Sequence, residues 1–125
     1  MVTRITRQGA DIIVGCIRTS APFVGLLNNG TEITGTNYMR IQYTGAFPFA
    51  EETADYYEYR NNTDIVFPVA GSNWGTVNQV GLWTSMTGGQ LCYFSDLAVA
   101  KTVTVNDQII IPAGYFVIRI PKVVT

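Results

Sequence analysis

The sequence predicts an all-β protein, and three observations support this class. Apolar residues alternate or run in short blocks instead of recurring at the three- and four-residue spacing of a helix. Gly, Asn, Thr and Pro interrupt every window of about a dozen residues, which is typical of short strands joined by turns. The chain has 125 residues, a length that suits one domain. We therefore expect a single jelly-roll-like β-sandwich with a short N-terminal β arm.

Two short apolar segments open the chain. Residues 4–6 and residues 12–17 are rich in β-branched side chains, and a turn-like sequence separates them. Residues 20–22, Ser-Ala-Pro, then interrupt the pattern. We interpret residues 1–22 as the N-terminal β arm and residues 23–125 as the jelly-roll domain.

The strands of the main domain are predicted in order from the turns between them. Residues 23–27 form an apolar block that ends at Asn29 and Gly30, a pair that readily adopts the positive φ angles of a tight turn. Residues 38–43 alternate cleanly, as a half-buried strand does. Residues 45–53 are predicted to be a long connection. Turn residues bound the remaining predicted strands, which are 55–59, 64–69, 78–84, 90–96, 102–105, 108–111 and 115–120.

The composition leaves few charges to cover the surface. Charged residues make up 14% of the chain and hydrophobic residues 47%, whereas a typical domain has about 25% charged residues. Apolar surface of this kind usually marks association sites, so we expect self-association, as a homotrimer. The net charge is −1 and neither sign forms a run, so we expect no nucleic-acid partner. No apolar stretch approaches the roughly 20 residues of a membrane helix, so we expect no membrane partner.

The chain offers little for catalysis. It contains no histidine, which removes the commonest general base and metal ligand. Glu51, Glu52, Asp55 and Glu58 lie close together and would be the carboxylates of a glycosidase, but a solvated loop and strand edge is the simpler interpretation. We therefore expect a protein that is not an enzyme and that has no metal and no cofactor.

Cysteine and tryptophan are assigned to packing. Cys16 and Cys92 sit among apolar neighbours, which predicts two reduced core residues. Trp74 and Trp83 are also predicted to pack more readily than to stack on a ligand.

A tyrosine-rich segment supplies candidate partner-binding residues. Alternation places Tyr57 and Tyr59 on one face of the predicted strand and Tyr56 on the other, with Arg60 next in sequence. Tyr and Arg recur at protein interfaces because they combine contact area with a hydrogen-bonding tip, although sugar-binding platforms and ordinary cores use tyrosine too. With the apolar residues of the arm, the predicted partner-binding residues are Ile5, Ile12, Ile13, Val14, Tyr57, Tyr59 and Arg60.

A series of short motifs resembles a jelly-roll domain that is widespread in tailed-phage particles. In order, they are NTDIVFPVA at 62–70, NWGTV at 73–77, VGLW at 80–83, TGGQL at 87–91 and KTVTVND at 101–107. The resemblance covers approximately residues 23–120. Its members are usually head-decoration or tail-fibre proteins, so the resemblance implies a structural component of a virion.

Two structural functions and one catalytic function stay open. The main expectation is a capsid decoration or cement protein on the virion surface, assembled in the host cytoplasm, which binds the major capsid protein and stabilises the phage head. The N-terminal arm would add strands to a neighbour. The alternative is a tail-fibre or tail-tip adhesin module that binds host surface glycan through exposed Tyr and Trp rings. A carbohydrate-active enzyme using Glu51, Glu52 or Glu58 is the least favoured.

Overall fold

A computed structural model describes residues 2–124, which form twelve β-strands and one α-helix. In chain order these elements are β1 (Thr3–Arg4), α1 (Arg7–Ser20), β2 (Phe23–Asn28), β3 (Thr31–Glu32), β4 (Ile41–Gln42), β5 (Phe49–Glu52), β6 (Tyr56–Arg60), β7 (Ile65–Val66), β8 (Gly75–Trp83), β9 (Leu91–Val103), β10 (Ile110–Ile111), β11 (Val117–Pro121) and β12 (Val123–Val124). Several antiparallel sheets account for most of the regular structure, so the predicted all-β class is confirmed.

The largest sheet has five strands. Its order is β3-β2-β8-β9, and β4 pairs with the other half of the β2 edge that β3 occupies. Gly25 and Gly81 face each other at the centre of the β2–β8 pair. A Cβ atom at Gly25 would lie 2.6 Å from the Trp83 ring, so this close approach requires glycine.

A second sheet has the order β11-β6-β5, and β7–β10 and β1–β12 form separate pairs. Side chains from both large sheets meet in one buried cluster, in which Leu26 and Leu82 of the first sheet join Ile118 of the second. Phe67 and Phe116 are fully buried in the same cluster. This arrangement is consistent with a β-sandwich, while the jelly-roll connectivity stays a prediction.

The N-terminal segment differs from the sequence prediction. Residues 12–17 lie in α1 rather than in a β arm, so the predicted strand there is wrong. Thr6 caps the helix by accepting a hydrogen bond from the Gly9 backbone N–H at 3.2 Å. Ala10 and Val14 are buried one helical turn apart and belong to the same core as the strands. This tertiary packing overrides the strand preference of the β-branched run.

Part of the predicted arm does pair as a strand. β1 lies antiparallel to β12, with Arg4 opposite Val123. The helix between β1 and β2 shares the core of the remaining chain, and the division into 1–22 and 23–125 stays a prediction.

Other differences concern strand lengths and the cysteines. The predicted connection 45–53 contains β5, and the predicted strands 90–96 and 102–105 are joined in the long strand β9. Cys16 and Cys92 are free, as expected, but both are exposed, so their predicted core position is wrong. Cys16 lies on the solvent-facing side of α1, and Cys92 lies on the solvent-facing side of β9. The opposite side of each element packs against the core.

Strand β9 contains a large irregularity that shapes the surface beside it. Asp96 pairs with Gln79 and Lys101 with Val77, so five steps along β9 match two steps along β8. Residues 97–100 therefore bulge away from β8.

Candidate functional site

The four predicted partner-binding residues of the N-terminal segment have different environments. Ile12 is 68% exposed and Ile13 38% exposed, so both project from α1 into solvent. Val14 is buried and Ile5 packs against the core. Helical geometry separates Ile12 and Ile13 from Val14, because residues one or two apart point in different directions on a helix, whereas Ile5 precedes α1. Partner contact stays a prediction for Ile12 and Ile13, whereas Val14 primarily holds the helix on the sheets.

The tyrosine strand β6 turns its predicted interface residues inward. Tyr57 and Tyr59 are both buried, and the hydroxyl of Tyr59 donates to the carboxylate of Asp11 on α1. Burial and this carboxylate both raise the pKa of Tyr59. The Tyr57 hydroxyl donates to the Ile5 carbonyl at 3.3 Å. These two tyrosines therefore act first as core residues that bind the N-terminal segment, and any contact they make with a partner stays a prediction.

The other face of β6 carries a buried carboxylate between two arginines. Glu58 is 3% exposed and accepts hydrogen bonds from Arg60 Nη2 and from Arg119 Nε of β11, each at 3.0 Å. Burial alone would raise the pKa of Glu58, but the two guanidinium groups outweigh it and lower that pKa. The carboxylate is thus ionised and fixes both arginine side chains. A lowered pKa is also the opposite of what a glycosidase requires in its general acid.

A polar groove of about 550 Å³ lies above this ion pair, between β9 and the β6–β11 pair. The following residues line it: Arg60, Tyr93, Ser95, Asp96, Leu97, Ala98, Gly114, Tyr115, Val117 and Arg119. Tyr93 ties the two walls together, because its hydroxyl accepts from the Arg119 backbone N–H at 3.0 Å. Tyr115 stands at the rim and is 73% exposed.

A network around Asn61 fixes the turn that carries Tyr115. The Asn61 side chain is 2% exposed; its amide nitrogen donates to Pro112 O at 3.1 Å and its amide oxygen accepts from Phe116 N at 2.8 Å. The backbone carbonyl of Asn61 accepts from Gly114 N at 2.7 Å. Both ends of the turn are therefore held by one buried residue at the end of β6.

A second depression, the apolar cleft, adjoins the groove. Its volume is about 390 Å³, and its lining includes Val99 of the β9 bulge and Ile110 of β10. Val99 is 66% exposed and Ile110 49% exposed. Leu97, Ala98 and Tyr115 line both depressions, so groove and cleft form one continuous surface along the bulge.

The structure gives less support to a metal site, a membrane-spanning helix or ligand stacking on tryptophan. Among residues 2–124, no three His, Cys, Asp or Glu side chains come together as a group that could hold a metal ion. The described part of the chain has no helix long and apolar enough to span a membrane. Trp74 and Trp83 are 5% and 6% exposed, so they pack, as expected, and offer no open ring to a ligand.

Comparison with known protein families gives the decisive observation. Residues 12–119 match the family described as podophage GP4 fiber I protein gp80. The chain belongs to this family. The match extends from the middle of α1 into β11, so it includes every residue of the groove and the cleft. Membership in the podophage fiber I family makes the protein a structural component of a phage virion. Comparison with curated proteins finds no match.

Sequence reasoning found only part of this site. Arg60 was predicted as a partner-binding residue and does line the groove, where it is 40% exposed in its side chain. Asp96, Tyr115 and Arg119 were missed because they come from strands and turns that are distant in sequence. The one indication in the sequence was the two-residue spacing of Glu58 and Arg60, because a strand places residues at this spacing on the same face.

Proposed function

We propose that this protein is a tail-fibre component of a phage particle, acting through subunit contacts and without catalysis, metal or cofactor. The match of residues 12–119 to a fibre protein family carries this proposal. The family description favours the fibre function over capsid decoration, because it names a fibre protein. The resemblance identified in the sequence left both locations open.

The surface along the β9 bulge is suited to assembly with a second copy of the chain. Residues 97–100 have no partner on β8, so backbone groups there are available to another strand. The side chains of Val99 and Ile110 present apolar area around the same cleft. A net charge of only −1 produces little repulsion between identical copies.

The location is tested with purified virions. Quantitative mass spectrometry gives the copy number per particle, and gold-labelled antibodies give the position. We expect a few to a few tens of copies, with label at the tail. Hundreds of copies with label over the head would refute the fibre assignment and support capsid decoration instead.

The assembly surface is tested by matched charge insertions. We expect Val99→Asp to shift the sedimenting species toward the monomer at micromolar concentration, because a carboxylate buried at the cleft would lose its hydration. Val105 is 51% exposed and lies outside the cleft, so Val105→Asp is the control and should leave the oligomer intact. Equal behaviour of the two variants, or a monomeric wild-type protein, would exclude this surface as the self-association interface.

A further inference from the structure

We propose that the free edge of β9 pairs antiparallel with the same strand of a second copy, with Ser95 on the two-fold axis. The five-stranded sheets of two chains then form one continuous sheet. The inference rests on the subunit contacts of the proposed function and deepens them, because it names the partner and the register in which the two strands pair.

The position and composition of β9 leave its outer edge open to another strand. Among the described residues β9 is the longest strand, Leu91–Val103, and it pairs with β8 on one side only. Proteins usually protect such an edge by keeping it short or by placing charges and prolines on it. Between Leu91 and the bulge at residues 97–100, Asp96 is the only charged residue, and this stretch contains no proline. An unprotected edge of this kind accepts an added strand.

The hydrogen bonds of the neighbouring strands show which way Ser95 points. On β2, the Leu26 carbonyl accepts from Ile33 N at 3.1 Å, and the Leu26 N–H donates to the Tyr38 hydroxyl at 3.0 Å. Neither backbone group of Leu26 therefore faces Val80, its opposite residue on β8. Alternation in an antiparallel ladder then directs both backbone groups of Val80 toward Ser95 of β9.

The residues on either side of Ser95 point the other way. Successive residues of an antiparallel strand direct their N–H and C=O groups to opposite sides of the strand. The ladder between β8 and β9 is regular from Tyr93 to Asp96, so the backbone groups of Phe94 and Asp96 face away from β8. These groups are the donors and acceptors that a further strand would meet.

An antiparallel pair centred on Ser95 uses all of these groups. Phe94 of each chain lies opposite Asp96 of the second copy, and each such pair exchanges both backbone hydrogen bonds. The two Ser95 side chains lie opposite each other, at a position where hydroxyl groups can form a hydrogen bond across the strands. The contact is isologous and closes at two copies, so the expected product is a dimer, whereas the composition led us to expect a homotrimer.

The side chains of the edge also suit a joint between identical copies. Asp96 Oδ1 accepts from Gln79 Nε2 of β8 at 3.0 Å, so the one charge of this edge is turned away from the joint. Phe94 is 48% exposed, and the register brings the two Phe94 rings to diagonal positions within reach of each other. The joint adjoins the β9 bulge, because residues 97–100 follow Asp96 directly. Pairing therefore buries apolar surface without placing like charges opposite each other.

The test is disulfide trapping of the full chain with two single-cysteine variants. Both carry Cys16→Ser and Cys92→Ser, which remove the two natural cysteines; one adds Ser95→Cys and the other adds Phe94→Cys. In a pair centred on Ser95, the two Cα atoms at position 95 lie about 4.5 Å apart, a separation that a disulfide spans. Those at position 94 lie about 7–8 Å apart, which is too far. We expect oxidised glutathione to link the Ser95→Cys variant into a dimer about tenfold faster or more, as measured by non-reducing electrophoresis.

A second measurement needs no cysteine. Phe94→Pro removes an N–H that faces the joint and no hydrogen bond to β8, and an edge strand tolerates proline at such a position. Phe94→Ala is the matched control, because it removes the ring and keeps the N–H. In sedimentation equilibrium we expect Phe94→Pro to raise the dissociation constant of the dimer at least about tenfold above that of Phe94→Ala. Circular dichroism checks that both variants are folded, and the trapping experiment decides alone if Phe94→Pro is not.

Three results would overturn the proposal: equal linking rates at the two positions, faster linking at position 94, or equal dissociation constants for the two folded Phe94 variants. If Val99→Asp dissociates the protein while Ser95→Cys fails to link it, self-association stands and the edge pairing is excluded. The virion location assay uses native particles and does not depend on trapping, so failure of the fibre assignment is distinguishable from failure of the pairing.

Discussion

The helical register of the N-terminal segment gives the sharpest stability prediction. Val14 is 4% exposed and Ile12 is 68% exposed, although they are only two residues apart. On a β-strand the two side chains would share one face and would respond alike to truncation. On the helix they lie on nearly opposite sides, so their responses should differ.

The size of the difference follows from burial. Val14→Ala removes two buried carbons at about 0.8 kcal/mol each and leaves a small cavity, which together lower the free energy of unfolding by about 2 kcal/mol. For a chain of this length, about 4 °C of melting temperature is lost per kcal/mol, so Tm should fall by about 8 °C. Ile12→Ala removes exposed carbons and should change the free energy of unfolding by less than about 0.5 kcal/mol.

The assay is thermal and urea unfolding followed by circular dichroism, with both variants and the wild type in the same buffer. A control for folding is the far-ultraviolet spectrum, which should be the same for all three proteins before heating. Equal destabilisation by the two substitutions would refute the helical placement and restore the β arm. A loss below about 0.5 kcal/mol for Val14→Ala would show that the helix does not share the core.

Three further predictions concern charges and thiols. The pKa of Glu58 is lowered in the folded state, so the stability that its carboxylate contributes is present above the ordinary pKa of 4.5 and is lost as the pH falls through the folded value. Glu58→Gln should therefore lower the free energy of unfolding by about 1–2 kcal/mol at neutral pH. Urea titrations should show that this difference shrinks toward pH 3, and a constant difference would contradict the shifted pKa. Arg40 is 8% exposed and donates to both carboxylate oxygens of Glu32 at 2.8 and 2.9 Å, so Arg40→Ala should lower the free energy of unfolding by about 3 kcal/mol. Adding Glu32→Ala should cost less than about 1 kcal/mol more in a double-mutant cycle, because the pair acts as a unit; additive losses would show that it does not. Cys16 and Cys92 are free, so reducing agent should leave Tm unchanged, and a drop of several degrees would reveal a disulfide.

The shared core also predicts the effect of deleting the N-terminal segment. If residues 1–20 formed a separate arm, their removal would leave a folded domain. Because Ala10 and Val14 lie in the shared core, we now expect the truncated chain to lose cooperative unfolding, which calorimetry measures. A truncated protein with an unchanged, cooperative transition would support the original domain division.

The sequence by itself determined the all-β class and most of the strand positions. Strand β2 and the turn after it follow directly from an apolar block and an Asn-Gly pair, and Asn29 and Gly30 do adopt positive φ angles of 49° and 85°. Alternation correctly placed Tyr57 and Tyr59 on one face of β6. Turn type and the alternation of strand faces depend mainly on residues that are adjacent in sequence, so local sequence patterns are sufficient to predict them.

Only the tertiary structure decided which of those faces became core and where a site formed. The β-branched residues of α1 favour a strand locally, yet burial of Ala10 and Val14 against the sheets stabilises the helix. In the same way, alternation could not say whether Tyr57 and Tyr59 face the core or a partner. The groove unites Arg60, Asp96 and Arg119 from three strands, and no pattern within one strand encodes their meeting. Packing energy and long-range pairing act between residues far apart in the chain, so these features emerge only when the sheets are assembled.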